Sequence, residues 1–256
     1  MITCIEGRMV ENNKEKTFNQ DVTTSSPEAK QASISLPFGP EAKSGGLVGK
    51  IKQQAESMFA GNMPSHAWEH TQRVFRLCRH IGAVEGVDMD VLLMAACLHD
   101  IGRVYQDASD GKVCHAEKGV ELARPIIEPL PLAEGRKINL LHCIHAHRFR
   151  KPPAPETVEA RVLFDADKLD AIGAVGVARA YLFAGEVGAR LHNPDVDVEN
   201  TRPYTSEDTG FREFKVKLSK IKDGMLTREG AGMAEARHAF MAAFFDRLQA
   251  EYRGEA

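Results

Sequence analysis

The sequence predicts an all-α protein, and three observations support this fold class. From residue 47 onward, apolar residues recur at the three- and four-residue spacing of amphipathic helices. No segment of any length alternates apolar and polar residues as a strand does, and no repeat period is present. Breakers such as "GNMP" and "KPPAP" separate the helical segments. With 256 residues, of which 43% are hydrophobic and 27% charged, the chain can bury a substantial core.

Residues 1–45 differ in composition from the rest of the chain. They are poor in aromatic residues and rich in Ser, Thr, Lys, Glu, Pro and Gly. Such a segment buries too little apolar surface to offset the entropy of ordering it. We therefore predict a disordered N-terminal extension over 1–45 and a single folded domain over 46–256.

The predicted helices follow from this periodicity and from local start and stop signals. Ser65 is a suitable N-cap for the second helix, and either Asp88 or Asp90 for the third, which Gly102 ends. A turn-rich stretch, "YQDASDGKVC", follows the third helix, and a long loop occupies 192–210. The predicted helices cover 47–60, 65–86, 88–102, 115–128, 133–147, 156–184, 211–227 and 230–252.

Composition also limits the class of partner and the compartment. The formal net charge of −3 gives no general electrostatic reason to expect a nucleic acid polymer. No apolar run approaches the ~18–20 residues of a membrane span, and the N-terminus is too polar for a secretory signal. The five cysteines form no CxxC pair, which is typical of a reducing compartment. We expect a cytoplasmic protein with no membrane partner.

The most informative stretch is "LLMAACLHDIGR" (92–103), where His99 and Asp100 end an apolar helix. Burying two such side chains without partners would cost several kcal/mol, so they need partners elsewhere in the chain. Several histidines in helix-terminal or apolar settings are candidates: His66, His70, His115, His142, His145 and His147. Any one of them alone is more often a core histidine bonded to a backbone carbonyl.

The acids of "LFDADKLDAIGAVG" (163–176) are the strongest further candidates. Asp165, Asp167 and Asp170 lie in an otherwise apolar segment, and Asp167 and Asp170 share a helical face. Buried carboxylates repel one another unless a cation neutralises them. A set of imidazole and carboxylate groups suits a divalent transition metal. Together with the histidines, these acids favour a metal site over a purely structural core.

These motifs, in this order, resemble the HD-domain superfamily of metal-dependent phosphohydrolases. The matching stretches are "HAWEHTQRV" around His70, "CLHDIGR" with the His99–Asp100 doublet, and "DADKLDAIG" with Asp167. The longer match "DADKLDAIGAVGVAR" (165–179) and the tail at 217–245 are similar to small bacterial and archaeal HD hydrolases. The resemblance covers about 60–250.

The resemblance implies an HD-type helical bundle with a metal site in its core, which spans about 60–185, followed by C-terminal helices over 211–252. It assigns the divalent ion to His70, His99, Asp100 and Asp167. Asp165 and Asp170 would orient these ligands. In relatives with two metals, two further histidines precede the last Asp, and His115 and His147 occupy the matching places. One or two ions per chain remain open, and we favour one. Mn²⁺ is the first choice, with Fe²⁺, Co²⁺, Ni²⁺, Zn²⁺ or Mg²⁺ as alternatives.

The activity implied is hydrolysis of a small phosphorylated substrate, most plausibly a nucleotide, with release of phosphate or pyrophosphate by metal-activated water. Asp100 would accept the proton of that water, and His115 or His147 would protonate the leaving group. The expected phosphate-binding residues are Arg103, Arg148 and Lys168.

The alternative is a catalytically weak HD module that binds a nucleotide and acts as a sensor. Substrate preference would lie in the loops 103–114, 148–156 and 192–210, which show no base-reading signature. Apolar faces on the last two helices would allow a homodimer.

Overall fold

The structure is a computed structural model that describes residues 46–59, 68–109, 111–148, 152–194 and 197–256. Within these ranges the chain is helical and contains no strand, which confirms the all-α prediction. The predicted extension over 1–45 and the predicted cap Ser65 lie outside the described residues. None of the described helices combines the length and apolar character needed to cross a bilayer.

The first half of the fold is built around one buried helix. Its six helices are α1 (Leu47–Ser57), α2 (Trp68–Glu85), α3 (Met89–Leu98), α4 (Arg103–Ala108), α5 (His115–Ile127) and α6 (Glu134–Ala146). Residues 91–98 of α3 are all buried, and α1, α2 and α6 pack around them. Asp88 rather than Asp90 caps α3, because its side chain accepts a hydrogen bond from the Val91 N–H at 3.2 Å.

The chain after α3 differs from the sequence prediction. The helix ends at Leu98 instead of Gly102, and the first four residues of the stretch predicted as turns belong to the short helix α4. Gly102 packs against the start of α5, where a Cβ would overlap the carbonyl oxygen of His115. This close backbone approach holds the His99–Asp100 turn against α5.

The second half contains α7 (Val158–Leu169), α8 (Gly173–Glu186), a 3₁₀ helix (Val198–Asn200), α9 (Gly210–Val216), a second 3₁₀ helix (Leu218–Gly224) and α10 (Arg228–Arg253). The single helix predicted over 156–184 is therefore two, separated at 170–172, where Gly173 adopts a φ of +79°. The helix predicted over 211–227 is α9 followed by the second 3₁₀ helix. The long α10 packs against α2, α7 and α8 and closes the bundle.

Polar groups are buried where α2, α3, α5, α6 and α7 meet. Most buried side chains of the described residues are apolar and form one continuous core. Histidines and aspartates interrupt that core at the end of α3 and on the helices that face it. Since buried polar groups need partners, this is the place to look for a functional site.

Candidate metal centre

A first group of ligand atoms comes from three elements. His70 lies on α2, His99 follows α3 and Asp167 lies on α7, and one donor atom from each is within 4.8 Å of the others. The Nε2 of His70 is 3.2 Å from Oδ1 of Asp167 and 3.4 Å from Nε2 of His99. His70 and His99 are buried, and Asp167 is half-buried.

A second group adjoins the first. Asp100, His115 at the start of α5 and His147 at the end of α6 also place their donor atoms within 4.8 Å of one another, and all three residues are buried. The Nε2 atoms of His115 and His147 are 3.0 Å apart. Oδ1 of Asp100 is 3.6 Å from the first and 3.7 Å from the second.

Asp100 connects the two groups. Its Oδ1 faces His115 and His147, while its Oδ2 is 4.0 Å from Nε2 of His70. A carboxylate can present one oxygen to each of two neighbouring cations. The His–Asp doublet thus supplies one residue to each group.

Two of the histidines are held in a fixed tautomer by backbone carbonyls. Nδ1 of His99 donates to the Ala96 carbonyl at 2.8 Å, and Nδ1 of His147 donates to the Ile144 carbonyl at 2.6 Å. A carbonyl oxygen can only accept, so the proton of each neutral ring is on Nδ1. The Nε2 atom then carries a free lone pair that points into the site.

The other two histidines are anchored by side chains. Nδ1 of His70 is 2.7 Å from Oδ2 of Asp170, and Nδ1 of His115 is 2.7 Å from Oε1 of Gln106. With Nδ1 as the donor in both, Nε2 of each ring carries the lone pair that can bind a cation. In His115 that lone pair accepts a hydrogen bond from Arg103 at 3.3 Å, which a bound ion would replace. All four imidazoles therefore turn the same nitrogen toward the carboxylates.

Burial keeps two of these rings uncharged. It lowers the pKa of His99 to about 4 and that of His115 to about 2. For His70, burial lowers the pKa, but the hydrogen bonds that the protonated ring donates to Asp167 and Asp170 outweigh this effect, and the net shift is upward. Neutral imidazole is the metal-binding form, so His99 and His115 need no deprotonation at neutral pH.

Both carboxylates of the site are ionised. Burial alone would raise the pKa of Asp100, but the charge of Arg103 opposes this effect, and the pKa is held well below its usual range. Lys168 and His70 have the same effect on Asp167. Each group therefore offers a carboxylate anion together with imidazole nitrogens.

This donor set fits divalent cations. With both protons on Nδ1, the Nε2 lone pairs of His115 and His147 face each other at 3.0 Å and repel, because no hydrogen lies between them. A cation between the donors converts this repulsion into coordination, and mixed nitrogen and oxygen donors suit transition metals. The residues present are sufficient for two adjacent ions, whereas the sequence favoured one.

The two aspartates predicted to orient ligands behave differently. Asp170 contacts His70 and also accepts hydrogen bonds from Arg73 at 2.6 Å and Arg179 at 2.8 Å. Asp165 instead accepts hydrogen bonds from the backbone N–H groups of 226 and 227 and from the Thr227 hydroxyl. Its contacts fix the segment before α10, so the orienting role predicted for Asp165 does not match its position.

The three predicted phosphate-binding residues line one cavity of about 720 Å³ beside the candidate metal ligands. Arg103 is paired with Asp100 at 3.1 Å, Lys168 is bonded to Asp167 at 2.6 Å, and Arg148 donates to Sγ of Cys114. His115, His147 and Asp167 face the same cavity. A ligand there would meet the metal donors and several cationic side chains together.

Sequence reasoning missed some residues that position this site. Arg73 lies three residues after His70, so helical spacing could have placed it on the same face of α2. Gln106 was missed because the stretch that contains it was interpreted as a turn. Arg179 reaches Asp170 across the break between α7 and α8, which no local pattern indicated.

Comparisons with known proteins agree with this geometry. A family model described as "HD domain" matches residues 67–172. The uncharacterized protein YpgQ of Bacillus subtilis is 30% identical over 209 residues, which are 80% of this chain and 93% of YpgQ. The ribonuclease Y of Chloroflexus aurantiacus is 30% identical over 68% of this chain but only 29% of its own length.

Solved structures share the fold. A crystal structure of an HD-superfamily hydrolase from Bacillus thuringiensis superposes with a TM-score of 0.64 at 25% identity and covers 80% of this chain and 96% of that one. The crystal structure of YpgQ in complex with ADP superposes with a TM-score of 0.63 at 28% identity and covers 82% and 100% of the two chains.

Proposed function

Since the chain belongs to the HD-domain family, we propose that it is a metal-dependent phosphohydrolase whose small phosphorylated substrate is a nucleotide. The observation that carries the proposal is the pair of three-residue ligand groups at the wall of a cavity lined by cationic side chains. A nucleotide is favoured because the structurally similar YpgQ was crystallised with ADP.

We propose two ion positions. His70, His99 and Asp167 would hold one ion, His115 and His147 the other, and Asp100 would contribute an oxygen to each. A bound divalent ion lowers the pKa of water and neutralises phosphate oxygens. Mn²⁺ stays our first choice because the donors combine imidazole and carboxylate.

Ligand roles for Asp100, His115 and His147 are better supported than the proton-transfer roles predicted from sequence. Both histidines direct Nε2 toward Asp100, and their Nδ1 protons are engaged with Ile144 and Gln106. A neutral ring in this state has no proton at Nε2 to give to a leaving group. Asp100 is already paired with Arg103, which weakens it as a base.

The cationic side chains would bind and orient the phosphate groups. Lys168 lies between the Asp167 carboxylate and the His147 carbonyl, and Arg103 lies beside Asp100, so both are fixed next to the ligands. Charges held in place before the substrate binds stabilise the charge that develops on phosphate oxygens. Arg148 would contribute to the same surface from the end of α6.

The cytoplasmic location and the homodimer, both expected from the sequence, stay predictions.

Metal content measured by elemental analysis tests the ligand assignment. We expect about two ions in the Mn²⁺-loaded wild type, one in His147→Ala, and none in Asp100→Ala, because only Asp100 serves both groups. Glu121→Ala is the control, since this exposed acid lies on α5 with His115 but faces solvent. A wild type that binds no divalent ion would exclude the metal centre.

Turnover on a panel of nucleoside triphosphates, nucleoside monophosphates and a short RNA separates the candidate activities. Phosphate or pyrophosphate release that is lost in Asp100→Ala supports the hydrolase. Full metal occupancy with no turnover would favour the nucleotide sensor instead. Cleavage of the RNA alone would point to the activity in the name of the ribonuclease Y relatives.

A further inference from the structure

We propose that Phe183 on α8 and Tyr204 form an aromatic subsite that holds the base of a nucleotide, an inference that rests on the proposed function. Both residues line the same cavity as His147, Lys168 and the other groups of the metal centre. The cavity volume of about 720 Å³ is within the range of small-molecule sites. The cavity is lined by charged side chains next to the candidate metal ligands and by aromatic rings at Phe183 and Tyr204. It therefore suits a ligand that has a phosphate group at one end and a planar group at the other.

The backbone at Tyr204 is strained, and side chains hold it in place. Tyr204 is the one non-glycine residue among the described positions with a positive φ, at 60°. Its N–H donates to Oδ2 of Asp208 at 2.7 Å. Asp208 is paired with Arg212 on α9 at 2.7 Å. Strained backbone that is held in this way is more common at ligand-binding sites than elsewhere.

Buried hydrogen bonds hold the segment around Tyr204, residues 201–209, against α9. The Arg212 guanidinium also donates to the hydroxyl and the carbonyl of Thr201. The Thr209 hydroxyl donates to the side-chain oxygen of Asn193 at 2.7 Å. These bonds fix the path of 201–209 while the Tyr204 side chain stays outside the core. A fixed backbone lowers the entropy that a ligand must overcome on binding.

The arrangement of the Phe183 and Tyr204 rings leaves aromatic surface on which a nucleotide base can stack. Their centroids are 5.8 Å apart with an interplanar angle of 79°, an edge-to-face pair. Tyr204 is 74% exposed, although it lines the cavity, and Phe183 is half-buried. A base that stacks on Tyr204 would bury this ring, and stacking accepts any base because each has a π face. This agrees with the absence of a base-reading motif in the sequence of this loop.

Calorimetric titration with two probes tests the subsite. ADP carries a nucleoside, and inorganic pyrophosphate carries only the phosphate part, so their comparison isolates the contribution of the nucleoside, and the change at the Tyr204 ring isolates stacking. In the presence of Mn²⁺ we expect Tyr204→Ala to weaken ADP binding by about tenfold, as for loss of one stacking ring, and to leave pyrophosphate binding unchanged. Tyr204→Phe keeps the ring and should bind ADP as the wild type does.

Phe240→Ala is the matched control, because Phe240 is 49% exposed on α10 and does not line the cavity. Phe183→Leu is a second variant if Tyr204→Ala fails to fold, and it should also weaken ADP binding selectively. Equal weakening of both probes, or a wild type that binds neither, overturns the subsite. Selective weakening of ADP binding without turnover of any nucleotide would leave the subsite standing while the proposed hydrolysis fails.

Discussion

Asp170 organises the candidate metal site although it belongs to neither group of candidate ligands. It lies at the end of α7, faces Nδ1 of His70, and accepts hydrogen bonds from Arg73 on α2 and Arg179 on α8. Burial alone would raise its pKa, but His70 and Arg73 outweigh this effect and the net shift is downward. The ionised carboxylate keeps the His70 proton on Nδ1 and so leaves Nε2 free.

We expect Asp170→Asn to lower the affinity for Mn²⁺ by about 10–100-fold, the range typical of lost partners of metal-binding histidines. The amide carries no charge, so the tautomer and orientation of His70 would be held less firmly. Competition with a chromophoric chelator measures the affinity.

Asp165→Asn is the matched control for this experiment. Its carboxylate accepts hydrogen bonds from residues 226 and 227, so the variant should unfold at lower urea but keep its Mn²⁺ affinity. If the two variants lost metal affinity equally, the distinction between Asp165 and Asp170 would be wrong.

Part of the difference between the roles of Asp165 and Asp170 could be predicted from the sequence. On a helix, residues two positions apart point to opposite sides, so Asp165 and Asp167 could not both face the same ion. The motif alone grouped Asp165 with Asp170, because its true partners, Leu226 and Thr227, are 61 and 62 residues away. The doublet His99–Asp100 was predictable because an apolar helix ended in two polar residues.

At the scale of elements, Gly102 sets the spacing between the His99–Asp100 turn and α5. A Cβ there would also lie 2.7 Å from the Gly119 nitrogen, which is backbone and cannot move aside as a side chain could. Two ligand-bearing elements can approach closely only because this residue has no side chain. Gly102 therefore contributes to the geometry of the second ligand group.

We expect Gly102→Ala to lower the free energy of unfolding by about 1–3 kcal/mol, as for other overpacked sites, and to reduce occupancy of the ion held by His115. Urea unfolding and elemental analysis provide the two readouts.

Gly232→Ala on α10 is the control, since a Cβ there meets nothing within 4 Å. In a helix, this change should raise stability by roughly 0.5–1 kcal/mol. A Gly102→Ala protein as stable as the wild type, with full metal occupancy, would contradict the packing argument.

Helix positions were largely predictable from periodicity, but two interruptions were not. The apolar pattern continues through 163–176 and predicted one helix, whereas the chain breaks after Leu169. The break depends on a distant residue: Arg237 on α10 bonds the Leu169 carbonyl and packs its side-chain carbons beside Gly173. The spacing of apolar residues carries no information about such a distant contact. For the same reason, it did not predict that α9 ends at Val216 and is followed by a 3₁₀ helix.

Among the residues that the structure describes, three cysteines lie in the core. Cys78, Cys97 and Cys143 are buried, while Cys114 is half-buried at the start of α5. Burial raises the pKa of Cys97 and of Cys143 to about 12, and it raises that of Cys78 well above its usual range. Since the thiolate is the reactive form, these three thiols are unreactive while the bundle is intact.

We expect iodoacetamide to label Cys114 in the native protein and to reach the three buried cysteines only after cooperative unfolding. Peptide mapping by mass spectrometry along a urea series measures this, with circular dichroism as the reference. Labelling of the buried thiols should rise together with loss of helical signal. Labelling of Cys143 well before that transition would show that α6 opens independently of the rest of the core.

The hydrogen bonds that hold residues 201–209 in place affect how the sequence of this fold can change during evolution. The ties described here, from Asn193 to Thr209 and from Arg212 to Thr201 and Asp208, begin and end within 193–212. The ligand groups of the metal centre lie on other parts of the chain. Substitutions in this segment can therefore accumulate without changing the candidate ligands, so in the proposed function chemistry and substrate choice can evolve at separate rates on one framework.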